Sequence, residues 1–102
     1  TLYWEADGPL DRDYQVFVHA LDAAGGSLAQ ADSAPLDGRY PTGQWLPATV
    51  IADPHRFTLP EGAGAWRLYV GLYSLPDGAR LPVEAAPAGS EILDNGVIVP
   101  AP

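Results

Sequence analysis

Glycine and proline interrupt this sequence so often that long helices have little room to form. There are eleven of each among 102 residues, and only the stretch 10–24 runs for more than ten residues without one. Both disfavour helix interiors, proline because it lacks an N–H and glycine because it loses more backbone entropy on folding. The chain is therefore expected to fold through short segments joined by many turns.

The short segments alternate in side-chain character with a period of two, which is typical of strands. Segment 13–22 is apolar on both faces, which predicts a central strand, whereas the small residues of 27–32 suit a sheet edge. Pro54 predicts a break or bulge, and Asn95 with Gly96 interrupts the last segment. In all, seven strands are expected, at residues 1–6, 13–22, 27–32, 49–59, 66–75, 79–85 and 90–99.

Turn signals occur at AAGG, LDG, EGAG and PDG between these segments and at DNG within the last one. This spacing predicts an all-β fold, an antiparallel β-sandwich of the immunoglobulin or fibronectin type III kind with about seven strands. The length fits one domain, so residues 1–102 are expected to share a single core. The alternation places in that core Leu2, Trp4, Val16, Val18, Leu68, Val70 and Leu72, with Trp66 near one end.

Composition excludes several classes of partner and chemistry. The net charge is −8, which repels nucleic acid and anionic membrane surfaces. The absence of cysteine removes disulfides, thiolate zinc sites and cysteine nucleophiles together. No apolar run approaches the roughly 18 residues of a membrane span, so we expect no direct membrane insertion by this segment.

Much of the chain resembles a known bacterial domain in the order of its motifs. The blocks are LYWEA, PLDRDYQVFVHALDAAG, LAQADSAP, GRYPTGQWLP, VIADPHRFTLP and WRLYVGLYSLPDGARLPV, from Leu2 to about Val83. They are similar to a β-sandwich domain at the extracytoplasmic C-terminal end of membrane proteins that look like glycosyltransferases of the protein-mannosyltransferase type, notably in Chloroflexota. The resemblance implies a non-catalytic accessory module in the cell envelope or on the cell surface.

One departure from that family concerns the beginning of the chain. Such domains usually have another strand before the LYW strand, and this sequence starts almost inside it. We therefore expect the first strand to be missing from this piece or supplied by a neighbouring chain.

Two sets of aromatic residues are candidate binding surfaces. The loop DGRYPTGQWLP, residues 37–47, is expected either to cross between the sheets with an aromatic ring tucked beneath it, or to bind carbohydrate. The carbohydrate interpretation uses Tyr40 and Trp45 for stacking, with Asp37 and Arg39 as hydrogen-bonding partners. Strand alternation predicts that the side chains of a second set of tyrosines point outward. Their face is expected to be a protein interface, a surface on which sugars stack, or a face covered by another strand or domain. These residues are Tyr3, Tyr69 and Tyr73.

The ionisable residues give no complete catalytic or metal motif. Aspartates near turns could supply oxygen ligands to calcium, but solvated turn residues are the simpler interpretation, so we expect no cofactor and no assigned metal ligand. Histidine is the usual side chain for acid–base chemistry near neutral pH, and for His19 and His55 a structural role is favoured. The sequence contains no nucleophile elbow, zinc-protease or phosphate-loop motif. An enzyme is therefore not expected.

The aspartates considered as calcium ligands are Asp11, Asp13, Asp22, Asp32 and Asp37.

Two functional hypotheses follow from the sequence. The leading one is a non-catalytic extracytoplasmic interaction module that packs against its parent protein, a sister subunit or a surface assembly, including by strand addition. The alternative is a carbohydrate-binding module that uses its tyrosine and tryptophan side chains.

Overall fold

The computed structural model describes residues 1–101, which form two antiparallel β-sheets. The larger sheet has the strand order β3-β2-β5-β7-β6, and the smaller sheet pairs β1 with β4. This all-β arrangement confirms the expected β-sandwich. The strands are β1 (Leu2–Glu5), β2 (Gln15–Asp22), β3 (Ser27–Gln30), β4 (Val50–Asp53), β5 (Trp66–Tyr73), β6 (Glu91–Leu93) and β7 (Gly96–Pro100).

The longest strands, β2 and β5, form the centre of the larger sheet. They pair along their whole length, from Gln15 opposite Tyr73 to Asp22 opposite Trp66. β3 lies at one edge and pairs only with β2. The predicted central strand and the predicted edge strand are both confirmed.

The core lies between the inner face of the larger sheet and the strands of the smaller one. Every core residue expected from the alternation contributes to it, although Leu2, Trp4 and Trp66 are only partly buried. Trp66 meets Phe57 edge to face, with ring centroids 5.9 Å apart. Tyr14 and Val97 also belong to the buried cluster and were not anticipated.

Two of the expected strands differ from the structure. Residues 79–85 form no strand beyond a single bridge between Tyr73 and Arg80, because Pro82 has no N–H to donate to a ladder. Residues 90–99 form a hairpin instead of one strand, since Asp94 and Asn95 adopt the positive φ values, 49° and 57°, of a two-residue turn. The structure therefore has seven strands, as expected, but residues 79–85 do not form one of them and residues 90–99 contribute to two.

β4 is also shorter than expected and ends at Asp53, immediately before Pro54. Two single-turn 3-10 segments, Pro35–Gly38 and Thr42–Gln44, lie in the connection between β3 and β4. Among the described residues no helix is long and apolar enough to cross a membrane.

Candidate functional site

The loop of residues 37–47 holds Trp45 inside the protein. Trp45 is only 5 % exposed, and its indole N–H donates to the backbone oxygen of Tyr40 at 2.9 Å. A ring buried to this extent cannot stack on a sugar unless the loop opens. The burial of Trp45 therefore favours a structural role, in which the segment crosses between the sheets and its tryptophan packs beneath the crossing. We call this segment, residues 37–47, the latch.

Thr42 connects the same loop by hydrogen bonds to residues 12 and 14, which precede β2. Its hydroxyl donates to the Arg12 carbonyl and accepts the Tyr14 N–H, both at 2.8 Å, and the side chain is completely buried. Asp37 and Arg39 stay exposed, and the Arg39 guanidinium bonds the carbonyl of Leu36. These contacts give the loop a packing role, and of the four residues of the carbohydrate interpretation Trp45 is buried, Tyr40 is partly buried, and Asp37 and Arg39 are exposed.

A second set of contacts centres on the buried carboxylate of Asp53 at the end of β4. Asp53 accepts the indole N–H of Trp4 at 3.1 Å and the backbone N–H of Leu36 at 2.9 Å. His55 Nε2 lies 2.5 Å from the same carboxylate, while its Nδ1 lies 3.2 Å from the Ser33 hydroxyl. A buried carboxylate is stable only when it is hydrogen-bonded and paired, and these contacts of Asp53 connect β1 and β4 to the 3-10 segment Pro35–Gly38.

The Ser33, His55 and Asp53 side chains form a serine–histidine–aspartate sequence of hydrogen bonds, but with the imidazole nitrogens exchanged relative to serine hydrolases, because Ser33 lies at Nδ1 and Asp53 at Nε2. Such enzymes also need free N–H donors beside the nucleophile to stabilise the oxyanion. Here the Ser33 N–H bonds the Val16 carbonyl and the Leu36 N–H bonds Asp53. With these donors occupied and Asp53 holding two further groups, the geometry fits a structural network.

The smaller sheet has an exposed outer face. Tyr3 and Val50 point away from the core and are 71 % and 58 % exposed. Tyr3 therefore does not form one row with Tyr69 and Tyr73, because those two belong to β5 in the other sheet. The interface expected from the three tyrosines is divided between opposite sides of the sandwich.

The outer face of the larger sheet carries an aromatic cluster around Phe17. Its ring centroid lies 5.2 Å from that of Tyr69 and 5.3 Å from that of His19. The guanidinium carbon of Arg80 lies 4.8 Å from the Phe17 centroid and 5.5 Å from the Tyr69 centroid. These cation–π and aromatic contacts cover Phe17, which is 2 % exposed although it faces away from the core.

Gly71 makes the position of the Phe17 ring possible. The two residues are directly opposite each other on β5 and β2, and a Cβ at Gly71 would overlap the Phe17 ring. Because overpacking of this kind costs about 1–3 kcal/mol, Gly71→Ala is expected to lower the free energy of unfolding by that amount in urea titrations. Gly8→Ala is the control, since no atom lies within 4 Å of its Cβ position. Equal effects of the two variants would contradict the account.

Beside this cluster lies a depression that we call the outer-face hollow. One side is formed by Asp32, whose carboxylate accepts the Val18 N–H at 3.3 Å and the Gln30 amide at 3.2 Å. Burial and the charge of Asp32 raise the pKa of Tyr73. The cavity volume is about 290 Å³, and its lining residues are Phe17, His19, Gln30, Asp32, Tyr73, Gly78 and Arg80.

Among the described residues, no three acidic or histidine side chains converge as a metal site. Asp11 accepts the Tyr14 hydroxyl, which holds the pKa of Asp11 below its ordinary value. Asp13 accepts the Gly43 N–H, and Asp22 accepts the N–H of Gly26 within the β2–β3 turn. The aspartates considered for calcium are therefore dispersed over separate local contacts.

The outer-face hollow could not be assembled from the sequence alone. The apolar outer face of segment 13–22 was a signal that something covers it, but His19 was assigned only a structural role. The contribution of Arg80 depends on the connection after β5 folding back over β2, which no local pattern predicts.

Comparison with known protein families, curated proteins and solved structures gave no match.

Proposed function

We propose that this domain is a non-catalytic interaction module that accepts an extended strand from a protein partner along β1. The observation that carries the proposal is the open edge of β1. Its residues Leu2–Glu5 pair only with β4, and no other backbone hydrogen bond of the described chain involves them. Alternate N–H and C=O groups of an edge strand point away from its neighbour and are a template for pairing.

The core beside β1 supports the same proposal. Leu2 and Trp4 face the core but are only half-buried, whereas Val16 and Val18 opposite them in the larger sheet are almost completely buried. An added strand would cover the exposed parts of these side chains. The apolar surface removed from water would add to the main-chain hydrogen bonds.

Among residues 1–101, the strand order is consistent with an immunoglobulin-like sandwich in which no strand occupies the place of strand A beside β1 or of strand D beside β4. In that fold, strands B and E pair in one sheet, and strands C, F and G pair in the other. β1 and β4 correspond to B and E, while β2, β5 and β7 correspond to C, F and G. The place of strand A is then beside β1, at the open edge.

Charge indicates which partner segment would fit. Asp7 follows β1, and its hydrogen bond and negative charge raise the pKa of Glu84. Two neighbouring carboxyl groups on a domain of net charge −8 favour a partner with a basic residue at this end. We therefore propose an extended segment with apolar residues at alternate positions and an arginine or lysine near Asp7.

The cellular setting is part of the proposal. The resemblance of the LYWEA to LPV blocks to accessory domains of bacterial membrane proteins supports an extracytoplasmic location, with the partner being the parent protein, a sister subunit or a surface assembly. The net negative charge supports a protein partner over nucleic acid.

The proposal is tested with a defined peptide. The probe is an eight-residue peptide with valine at alternate positions, threonine between them and arginine at the end that would lie near Asp7. Calorimetric titration is expected to show saturable binding to the domain. Methylating peptide nitrogens on the edge that faces β1 should weaken binding by about tenfold or more, because those N–H groups can no longer donate.

Methylation on the opposite edge of the peptide is the matched control and should leave the affinity unchanged. The charge argument is tested with the double variant Asp7→Asn and Glu84→Gln, against Glu61→Gln as an exposed acidic control. If the unmethylated peptide does not bind, or if both methylated peptides bind equally, the domain does not accept strands in this way.

A further inference from the structure

The outer-face hollow combines an oriented positive charge with aromatic surface. The Arg80 Nη1 donates to the Tyr69 hydroxyl at 2.8 Å and to the Asp94 carbonyl at 3.0 Å. In the described part of the chain, Arg80 has no carboxylate within 4 Å and its other nitrogens have no hydrogen-bond partner. The rings of Phe17 and Tyr69 therefore hold a guanidinium whose remaining donors are available to a carboxylate ligand.

The other side of the hollow carries polar groups of a different kind. Asp32 supplies a carboxylate acceptor, and Gln30 supplies an amide. His19 Nε2 is buried and makes no hydrogen bond, although it lies 3.5 Å from Asp32 Oδ1. Because this nitrogen is buried, a ligand in the hollow cannot reach it, and the polar groups on this side that a ligand can contact are those of Asp32 and Gln30.

These features define the ligand by its chemistry. A carboxylate is needed at the Arg80 end, hydroxyl groups at the end of Asp32 and Gln30, and an apolar ring face against Tyr73. The cavity volume of about 290 Å³ is at the lower limit for small-molecule pockets, which suits one sugar ring. We infer that the outer-face hollow binds a single hexuronic acid unit, with its one carboxylate on Arg80 and its hydroxyls on Asp32 and Gln30.

This site is independent of strand binding at β1, since it lies on the outer face of the other sheet. It also differs from the carbohydrate site expected at Tyr40 and Trp45, because none of the residues of that loop lines the hollow. The aromatic and polar groups it uses belong to β2, β3, β5 and the segments that follow β3 and β5.

The test is a titration of the ¹⁵N-labelled domain followed by NMR. Methyl glucuronide is the probe, and methyl glucoside and sodium acetate separate the contributions of the carboxylate and the ring. We expect saturable shifts at the amides of Phe17, His19 and Gln30 with methyl glucuronide, and binding at least tenfold weaker with either comparison compound. The inference is overturned if methyl glucuronide gives no saturable shift, or if acetate or the glucoside binds as tightly.

Substitutions of two arginine residues test whether Arg80 binds the carboxylate of the ligand. Arg80→Gln should reduce affinity for methyl glucuronide at least tenfold and remove the preference over the glucoside, whereas Arg67→Gln changes an arginine elsewhere on the outer side of β5 and should bind as the parent does. The amide spectrum of Arg80→Gln should match that of the parent domain, which separates a loss of binding from a folding defect. Unchanged binding by Arg80→Gln with a native amide spectrum would contradict the assignment.

Discussion

Replacing Asp53 by alanine is expected to lower the free energy of unfolding by about 3–5 kcal/mol, the range for breaking a buried charged network by removing one partner. The carboxylate is completely buried and accepts hydrogen bonds from Trp4 and Leu36 while pairing with His55. Its removal leaves these donors without an acceptor in a place that water does not reach. Urea unfolding followed by tryptophan fluorescence measures the change.

Two further variants separate the parts of this effect. Asp53→Asn keeps the shape and one acceptor oxygen, so it should lose less stability than Asp53→Ala. Glu61→Ala removes an exposed acid in the turn before β5 and should change stability by no more than about 0.5 kcal/mol. If Asp53→Ala is as stable as Glu61→Ala, the carboxylate does not hold β1, β4 and the segment Pro35–Gly38 together.

Trp45→Ala is expected to lower the free energy of unfolding by about 3–5 kcal/mol, as large-to-small substitutions of buried aromatic side chains do. The change removes a buried ring and its hydrogen bond to the Tyr40 carbonyl, so the connection between β3 and β4 loses its anchor. The expected readout is a lower urea midpoint together with faster amide exchange in residues 37–47.

Leu46→Ala is the matched control, because Leu46 is adjacent in sequence but 64 % exposed. It should alter the free energy of unfolding by no more than about 0.5 kcal/mol. A stable Trp45→Ala protein that had lost binding to a glycan would reverse the assignment and return this loop to the carbohydrate interpretation.

The parts of the fold that could be predicted from sequence are those with long local alternation. β2 and β5 show it over eight residues each, and the burial of Val16, Val18, Leu68 and Val70 follows. The hairpin of β6 and β7 was missed because its strands have only three and five residues, too few for a clear period. Whether Asn95 interrupts a strand or turns a hairpin depends on pairing with β5, which is not a local property.

The sites depend even more on contacts between distant residues. Phe17 and Gly71 are far apart in the sequence, and only the register of β2 against β5 shows that one makes room for the other. Asp53 and His55 are neighbours in sequence, but Pro54 between them removes the alternation that would predict their relative direction. The indole of Trp4 and the turn at Leu36, which complete the network, come from other parts of the chain.

Amide hydrogen exchange along β1 tests the proposed interaction module most directly. In the free domain, the amides of Leu2–Glu5 that point away from β4 should exchange rapidly, since no backbone acceptor is available to them. Addition of the alternating valine peptide should slow their exchange by about tenfold or more and leave β3 and β6 unchanged. Unaltered exchange in β1 under saturating peptide, or protection of β3 or β6 in its place, would contradict the proposal that β1 receives the partner strand.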